Sequence, residues 1–507
     1  MKKRRFLILF LMAGLTIALT GSPAIAEQFS VFGKPLNLLG YATQGGSFSL
    51  LDKDKYDTEK GLNSALMNLF VEADYTPIDN LKFYTSSMLT VDWIYQLKHN
   101  DSSWNDKFLS HSKHNLNVDD KYWQLLKEAN VTWTPENFMF KVGKQIVSWG
   151  EMLAFRVMDQ INPLDQRRGF ADVEFETTII PIWLIRAEYF PKIKLNWLRD
   201  LGFEFVYNPN ADFIPDQGIK AGNDEGGIWA PNIPLGGPHM GSAVADISNP
   251  KRWKEGNEFG FRVKANLFDY LVTLNAFYGR DNSPVALLVP PFLSPLPPHI
   301  FASDGQLLLH PFQEGKYPLL RFVGATLSKE ILPLKASFLG GVAPVVFLEA
   351  LYAYKNTFAF GTPGTPFARF EQSDEFRGAI EVSWKVKIPF LNPRAYFSIT
   401  PEFFYRRIMD YPSFEEIASL KKNNYQTFLT VSTSYFHNKL TPSIAWIHDI
   451  NSKSDYHILK LAYDYSNKWH FTLGAQFFHG DNKENSKLFQ LFDNKDQIFF
   501  KISYKWG

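Results

Sequence analysis

The sequence contains no cysteine, and its net charge is close to zero. The absence of cysteine excludes a disulfide scaffold, a thiolate metal site and a covalently attached haem. Long hydrophobic runs are also missing beyond the first residues, since the best one, Leu339 to Tyr354, is interrupted by Pro344 and Glu349. We therefore expect no transmembrane helix in the main part of the chain. Apart from four basic residues at the N-terminus, Lys2 to Arg5, no basic arm or patch is present, which argues against a nucleic-acid partner.

Aromatic residues, by contrast, are abundant. The chain has 46 Phe, 22 Tyr and 13 Trp, which together make up 16% of its residues. This composition is too hydrophobic for a disordered chain. We expect a folded protein in which aromatic rings provide much of the packing.

The N-terminus has the pattern of a secretory signal peptide. Four basic residues, Lys2 to Arg5, precede an apolar stretch from Phe6 to Leu19 and the sequence Ala24-Ile25-Ala26. The apolar stretch is shorter than the roughly 20 residues that a membrane-spanning helix needs. The pattern therefore predicts cleavage after Ala26 and export of residues 27–507 from the cytoplasm.

The exported part shows period-two alternation, which is typical of β-strands. In the last segment Ile498, Phe500 and Ile502 lie on one face, while Lys501 and Ser503 lie on the other. The same alternation occurs in three further segments: Trp469 to Phe477, Phe261 to Leu267 and Ile380 to Ile388. Each predicted strand thus has one apolar face and one polar face.

Two features favour a membrane barrel over a soluble sandwich, whose apolar faces would pack against a second sheet. The strands are about 10 residues long, as a tilted membrane crossing requires. Tight turns also alternate with long connections, at 96–119, 150–178, 209–255, 281–316, 356–375, 408–423 and 480–495. We predict an all-β, transmembrane antiparallel β-barrel of about 16–18 strands with long extracellular loops. The strand pattern is weakest in 27–60 and 179–210.

The C-terminal strand predicts two kinds of partner. Ile498 to Trp506 looks like the signal that the outer-membrane assembly machinery reads, although here Gly507 follows the terminal aromatic residue. Aromatic residues at strand ends are typical of the boundary with outer-membrane lipids, and the candidates are Trp384, Tyr435, Tyr463, Tyr465, Trp469 and Trp506. The pattern leaves homo-oligomerisation open.

One local motif stands out. Gly143-Lys-Gln-Ile-Val-Ser-Trp-Gly-Glu151 is followed by Asn162-Pro-Leu-Asp165. This segment, over about residues 141–169, resembles an uncharacterised family of Gram-negative outer-membrane proteins with a domain of unknown function. The resemblance implies an outer-membrane barrel that moves hydrophobic molecules, and it assigns no functional residues.

The residues after this motif predict a constriction of the lumen. Apolar residues in 150–161 indicate a short helix that ends before Pro163. A loop that folds inward there would place charges of both signs across the pore and select solutes by charge and size. The candidate constriction residues are Arg156, Asp159, Asp165, Arg167 and Arg168. The alternatives are a solvated outer loop and a structural salt-bridge cluster.

The loop 284–298 differs from the others because it is apolar and rich in proline. An exposed apolar loop of this kind would offer an entry for a hydrophobic solute. Packing of the loop beneath its neighbours explains the composition equally well.

Enzyme signatures are not found. The sequence has no Gly-x-Ser-x-Gly, no phosphate-binding loop and no His-Glu-x-x-His motif. His111 and His114 lack metal-binding partners in register, and the acidic stretch from Asp52 to Asp57 lacks the rest of a calcium loop. We expect no catalytic, cofactor or metal site, and a passive channel for small solutes. A conduit for hydrophobic molecules or lipids, a surface adhesin and a lipid hydrolase are the alternatives.

Overall fold

The computed structural model describes residues 27–50, 60–98, 116–168, 178–193, 195–218, 244–247, 249–289, 299–301, 307–309, 312–335, 340–361, 369–412, 416–417, 420–480, 489, 492–493 and 495–507. The predicted signal peptide, 1–26, lies outside this part of the chain. Residues 169–177 and 290–298, which belong to two of the predicted loops, also lie outside it.

Eighteen antiparallel strands form a closed barrel. Each strand pairs with its neighbours in sequence, and the last strand pairs with the first, from Gly40 opposite Trp506 to Ser49 opposite Gln497. The strands are β1 (Lys34–Ser49), β2 (Leu66–Ile78), β3 (Leu81–Asp92), β4 (Glu128–Trp133), β5 (Phe138–Gln145), β6 (Ile182–Tyr189), β7 (Leu198–Asn208), β8 (Glu258–Leu267), β9 (Tyr270–Arg280), β10 (Leu319–Glu330), β11 (Val345–Gly361), β12 (Arg369–Val386), β13 (Phe397–Ile408), β14 (Asn423–Ser432), β15 (Leu440–Asp449), β16 (Ser454–Asp464), β17 (Trp469–Gly480) and β18 (Gln497–Trp506). The predicted barrel is confirmed.

The two faces of the wall differ as the alternation predicts. On β17, the side chain of Leu473 is 53% exposed, whereas Gln476 on the opposite face is fully buried. On β18, Ile498 and Phe500 are exposed while Gln497 is buried. The apolar row thus points outward and the polar row points into the barrel, which is the arrangement of a membrane barrel and the reverse of a soluble sandwich.

The connections at the two ends of the barrel differ in length. At one end they are tight, as between β8 and β9, where Phe268 and Asp269 both have positive φ and form a two-residue hairpin turn. At the other end most are long. Two connections there are short: residues 450–453 join β15 to β16, and the predicted loop 356–375 is mostly strand. That loop prediction was wrong because the ladder between β11 and β12 continues beyond Asn356 and Thr357 as far as Phe360 opposite Arg369.

Aromatic residues mark the end with short turns. Trp469 begins β17, Trp506 ends β18, and Trp384 and Tyr463 lie within two residues of the ends of β12 and β16. Aromatic side chains of this kind prefer the boundary between lipid and water.

The long connections carry small elements of their own. Val244–Ile247 pairs in parallel with Phe312–Lys316, which pairs antiparallel with Val285–Val289, so the connections 209–255 and 281–316 share a sheet. His299–Phe301 pairs with Leu307–Leu309. Three other short strands extend the barrel sheet: Glu27–Val31, Gly61–Ser64 and Glu416–Ile417.

The helices of the described residues are short. They are α1 (Ile94–Leu97), α2 (Tyr122–Leu125) and a 3₁₀ turn at Leu332–Leu334. None of them has the length and apolar character that a membrane crossing demands.

Gly143 on β5 has a φ of +129°, which L side chains rarely adopt, and an added Cβ would collide with the carbonyl oxygen of Ala129. We expect Gly143→Ala to lower stability by about 1–3 kcal/mol from backbone strain alone. The measurement is the temperature at which the folded barrel loses its distinct gel mobility. Gly218→Ala is the matched control, because no atom lies within 4 Å of its Cβ position. Equal midpoints for the two variants would contradict the expectation.

Candidate functional site

Residues 146–168, which we call the lumen segment, leave the end of β5 and lie inside the barrel. The indole Nε1 of Trp149 donates to Glu204 Oε1 on β7 at 3.2 Å. Farther along, the ring of Phe155 lies 5.3 Å from that of Phe404 on β13. The segment therefore runs along the inner face of the wall from β6 to β13.

Three wall glutamates hold the middle of the lumen segment. Glu349 on β11 accepts from the backbone N–H groups of Glu151, of Met152 at 3.3 Å and of Met158 at 3.1 Å. On the next strand, Glu381 accepts from the N–H of Leu153 at 2.9 Å.

On the strand after that, Glu402 accepts from the N–H groups of Ala154 at 3.0 Å and Phe155 at 2.9 Å. Glu381 and Glu402 lie directly opposite each other in the ladder between β12 and β13. The three carboxylates thus form a row across three adjacent strands.

These hydrogen bonds explain why the short helix predicted for 150–161 does not form. A helix would direct each backbone N–H to a carbonyl oxygen four residues earlier. Here the N–H groups of residues 151–155 and 158 donate to carboxylates of the wall instead, and the segment has an irregular backbone with several bends. The described part of the predicted loop 150–178, residues 150–168, folds inward, whereas the predicted helix was wrong.

The other side of the lumen segment packs in an apolar core against the wall. Trp149, Val157 and Met158 are almost fully buried there. The wall and neighbouring residues of this core are Ile182, Leu184, Val206, Phe277, Leu320, Phe322, Leu351, Ala353 and Ala379. Burial of so many apolar groups stabilises the segment in its position against β6 to β12.

The sequence motif provides the hydrogen bonds that shape this segment. Asp159 Oδ1 accepts from the backbone N–H groups of Trp149 at 2.6 Å and Gly150 at 2.9 Å. Asn162 accepts from the N–H of Val147 at 2.8 Å and donates to the carbonyl of Ile180 at 3.0 Å. The motif therefore determines the conformation of the lumen segment and its exit from the lumen.

Three of the five predicted constriction residues belong to a buried ion cluster. Arg167 Nη2 lies 2.6 Å from Asp119 Oδ2 and 2.8 Å from Asp165 Oδ2, and Arg168 Nη1 lies 3.1 Å from Asp119. The guanidinium of Arg167 also covers the ring of Trp123, and its side chain is only 2% exposed. This cluster joins the connection after β3 to the end of the lumen segment.

The charges of this cluster compensate each other. Burial by itself would raise the pKa of Asp165, but hydrogen bonds from Arg167 and its positive charge lower that pKa below the ordinary value. Asp165 and Arg167 are therefore both ionised and paired.

The other two predicted residues lie in the middle of the segment. Asp159 is used as a hydrogen-bond acceptor within it, as described above. Arg156 donates through Nη2 to the carbonyl oxygen of Asn162 at 3.0 Å and forms no ion pair with any described residue. The predicted influence of these five residues on ion selectivity stays a prediction.

Sequence reasoning missed the three glutamates and a second charge cluster around Glu204. Arg186 and Arg262 contact Glu204 at 3.0 and 2.9 Å from the neighbouring strands. The one available signal was Glu349, because it interrupts an apolar stretch. Its partners lie about 200 residues away in sequence, so the interruption alone could not identify them.

The lumen segment covers one half of the inner wall. Its hydrogen bonds to barrel strands all go to strands between β5 and β13. The inner face of the remaining strands carries polar and basic side chains that include Thr43, Asn68, Thr430, Lys460 and Lys501. It also carries a buried apolar cluster, made of Ile94, Tyr95, Leu116, Tyr456, Phe478, Phe489 and Phe492. Within the described residues, no group of His, Asp or Glu side chains is arranged to hold a metal ion.

A family model described as "Protein of unknown function (DUF1302)" matches residues 43–506. No curated protein matches the chain.

Several solved structures are similar at low sequence identity. OccAB4 of Acinetobacter baumannii is 8% identical with a TM-score of 0.47, covering 95% of this chain and 99% of that one. The trimer form of OmpT, an outer membrane protein of Vibrio cholerae, is 10% identical with a TM-score of 0.39, covering 93% and 99%. An anion-selective porin from Comamonas acidovorans is 9% identical with a TM-score of 0.36, covering 93% and 100%.

Proposed function

Because the chain belongs to the DUF1302 family, whose model covers residues 43–506, and folds as a closed barrel with a partly filled lumen, we propose that it is a passive outer-membrane channel for small solutes. In this proposal residues 1–26 direct export, and β18 is read by the outer-membrane assembly machinery. The solute moves down its own concentration gradient.

One observation carries the proposal: the lumen segment is attached to half of the inner wall, and the facing half carries polar and basic side chains beside an apolar cluster that includes Tyr456 and Phe478. A barrel of 16–18 strands is wide enough to leave an aqueous lumen. The lumen segment occupies space along one side of the wall and therefore narrows the lumen, while the diameter of the barrel stays the same. Charged and polar groups on the facing side then select solutes at close range.

The five predicted constriction residues have different roles. Asp159 shapes the lumen segment, whereas Asp165, Arg167 and Arg168 anchor its end through Asp119. Arg156 is the predicted residue whose charge has no paired carboxylate among the described residues. Its positive charge is balanced only at longer range, by the carboxylates of Asp159 and Asp216.

Conductance of the purified protein tests the channel. Folded barrel added to a planar lipid bilayer should give stepwise current increases, and heat-denatured protein from the same preparation should give none. Insertion of folded barrel without any conductance would contradict the proposal and leave a surface interaction protein as the better explanation.

Neutralising Arg156 tests the constriction. We expect Arg156→Gln to shift the reversal potential in a salt gradient toward cation selectivity, because a positive charge that no described carboxylate pairs directly leaves the lumen. The shift should be largest at low salt, where the Debye length is about 30 Å at 0.01 M. Arg156→Lys keeps the charge and serves as the control. Unchanged selectivity of Arg156→Gln with intact conductance would rule out this role.

A further inference from the structure

A groove of about 1090 Å³ lies on the outer face of the barrel wall. Its floor is formed by β2 to β6 and includes the outward-facing side chains of Phe83, Val142 and Ile185. Val142 is 50% exposed, whereas its neighbours on the opposite face point into the lumen. The groove therefore opens to the lipid side of the wall, away from the lumen segment.

Small side chains produce the concave shape. Ala73, Thr85 and Ala129 are paired in one row across β2, β3 and β4. The adjacent row across the same strands, Tyr75, Phe83 and Val131, is bulkier. The floor of the groove is therefore deepest along the row of small side chains, beside the bulkier row.

The end of the groove nearest the long connections is polar and partly covered. Tyr122 of α2 lies on one side, with the Nζ of Lys144 5.0 Å from its ring centroid. On the other side the connection between β7 and β8 contributes Asp212, Arg252 and Trp253. An apolar floor with aromatic and charged groups at one end is the layout that suits an amphiphile.

We propose that this groove binds one acyl chain of a lipid from the surrounding membrane, with the lipid headgroup beside Arg252 and Trp253. The medium on this side of the wall is hydrocarbon, so the occupant is a lipid chain. The volume of about 1090 Å³ is slightly above the roughly 300–1,000 Å³ that is usual for small-molecule sites. A second copy of the chain would need a much broader contact, since stable interfaces bury about 1,200–2,000 Å².

This proposal depends on the barrel standing in lipid and is independent of channel activity. A barrel that conducts ions but holds no lipid would therefore contradict the lipid site alone.

Lipid retention tests the site. Barrel extracted from membranes in mild detergent and passed through gel filtration should retain phospholipid, measured by native mass spectrometry. Ala129→Trp fills the groove and should lose that lipid. The matched control is Ala325→Trp, which places the same ring at an outward-facing position on β10, outside the groove. Equal retention by both variants, or no lipid on the wild-type barrel, would overturn the proposal.

A second experiment does not require the tryptophan variant to fold. The chain has no cysteine, so Ala129→Cys gives a single reactive site. Modification of the folded Ala129→Cys barrel with a bulky maleimide should release the lipid, whereas modification of folded Ala325→Cys should not. Efficient disulfide formation between two copies of Ala129→Cys, with no lipid bound, would show that the groove is instead a contact between barrels and would overturn the proposal.

Discussion

Replacing Glu349, Glu381 and Glu402 together with alanine is expected to increase the single-channel conductance and its fluctuations severalfold. The three carboxylates accept six backbone N–H groups from the lumen segment. A hydrogen bond contributes about 0.5–1.5 kcal/mol net, and more where the acceptor is charged. Loss of all three acceptors removes the polar attachment of residues 151–155 and 158. The segment is then held by the apolar core around Trp149 and by the hydrogen bonds and ion pairs nearer its two ends.

The control for this variant is Glu72→Ala. Glu72 also faces the lumen, but it lies on β2 and accepts from the Tyr84 hydroxyl at 2.6 Å, away from the lumen segment. Its removal should leave the fluctuations unchanged. If the triple variant folds and conducts as the wild type does, the lumen segment does not limit conductance.

Replacing Arg167 with methionine is expected to open the connection between the lumen segment and the loop after β3. The change leaves Asp119 and Asp165 buried without their shared cation, and breaking a buried ion pair costs about 3–5 kcal/mol. Limited proteolysis measures the open population when opening is fast. The cleavage rate should rise by about two to three orders of magnitude, since each tenfold change corresponds to about 1.4 kcal/mol.

Arg199→Met is the comparison for Arg167→Met. Arg199 pairs with Asp269 at the surface, and its side chain is 57% exposed. Exposed pairs contribute only about 0–1 kcal/mol, so this variant should be cleaved at nearly the wild-type rate. A similar small effect for Arg167→Met would mean that the buried cluster does not hold the connection closed.

The wall of the barrel could be predicted from the sequence because its pattern is local. The alternation in Trp469 to Phe477 indicates which side chains face outward. Each tight turn can be recognised as the few residues that separate two alternating segments. The regions of weakest pattern, 27–60 and 179–210, still contain β1, β6 and β7. The pairing of these three strands is evident only from the strands next to them in the closed barrel.

The contents of the lumen could not be predicted in the same way. Apolar residues in 150–161 indicate a helix when only local hydrogen bonds are considered. The competing acceptors, Glu349 and Glu402, follow about 190–250 residues later. Asp119, which pairs with Arg167, belongs to a different connection. Interactions over such separations leave no periodic signal in one sequence.

The ladder between β1 and β18 has a consequence for how the molecule is assembled. All other neighbouring barrel strands are also successive in sequence, but this ladder brings Gly40 next to Trp506. Closure must wait until almost the whole chain is available, and contacts of such long separation form slowly. Until then β1 and β17 each present an unpaired edge, which invites pairing with other chains. Defects in β18 should therefore produce aggregated, incompletely closed sheets rather than barrels of reduced stability.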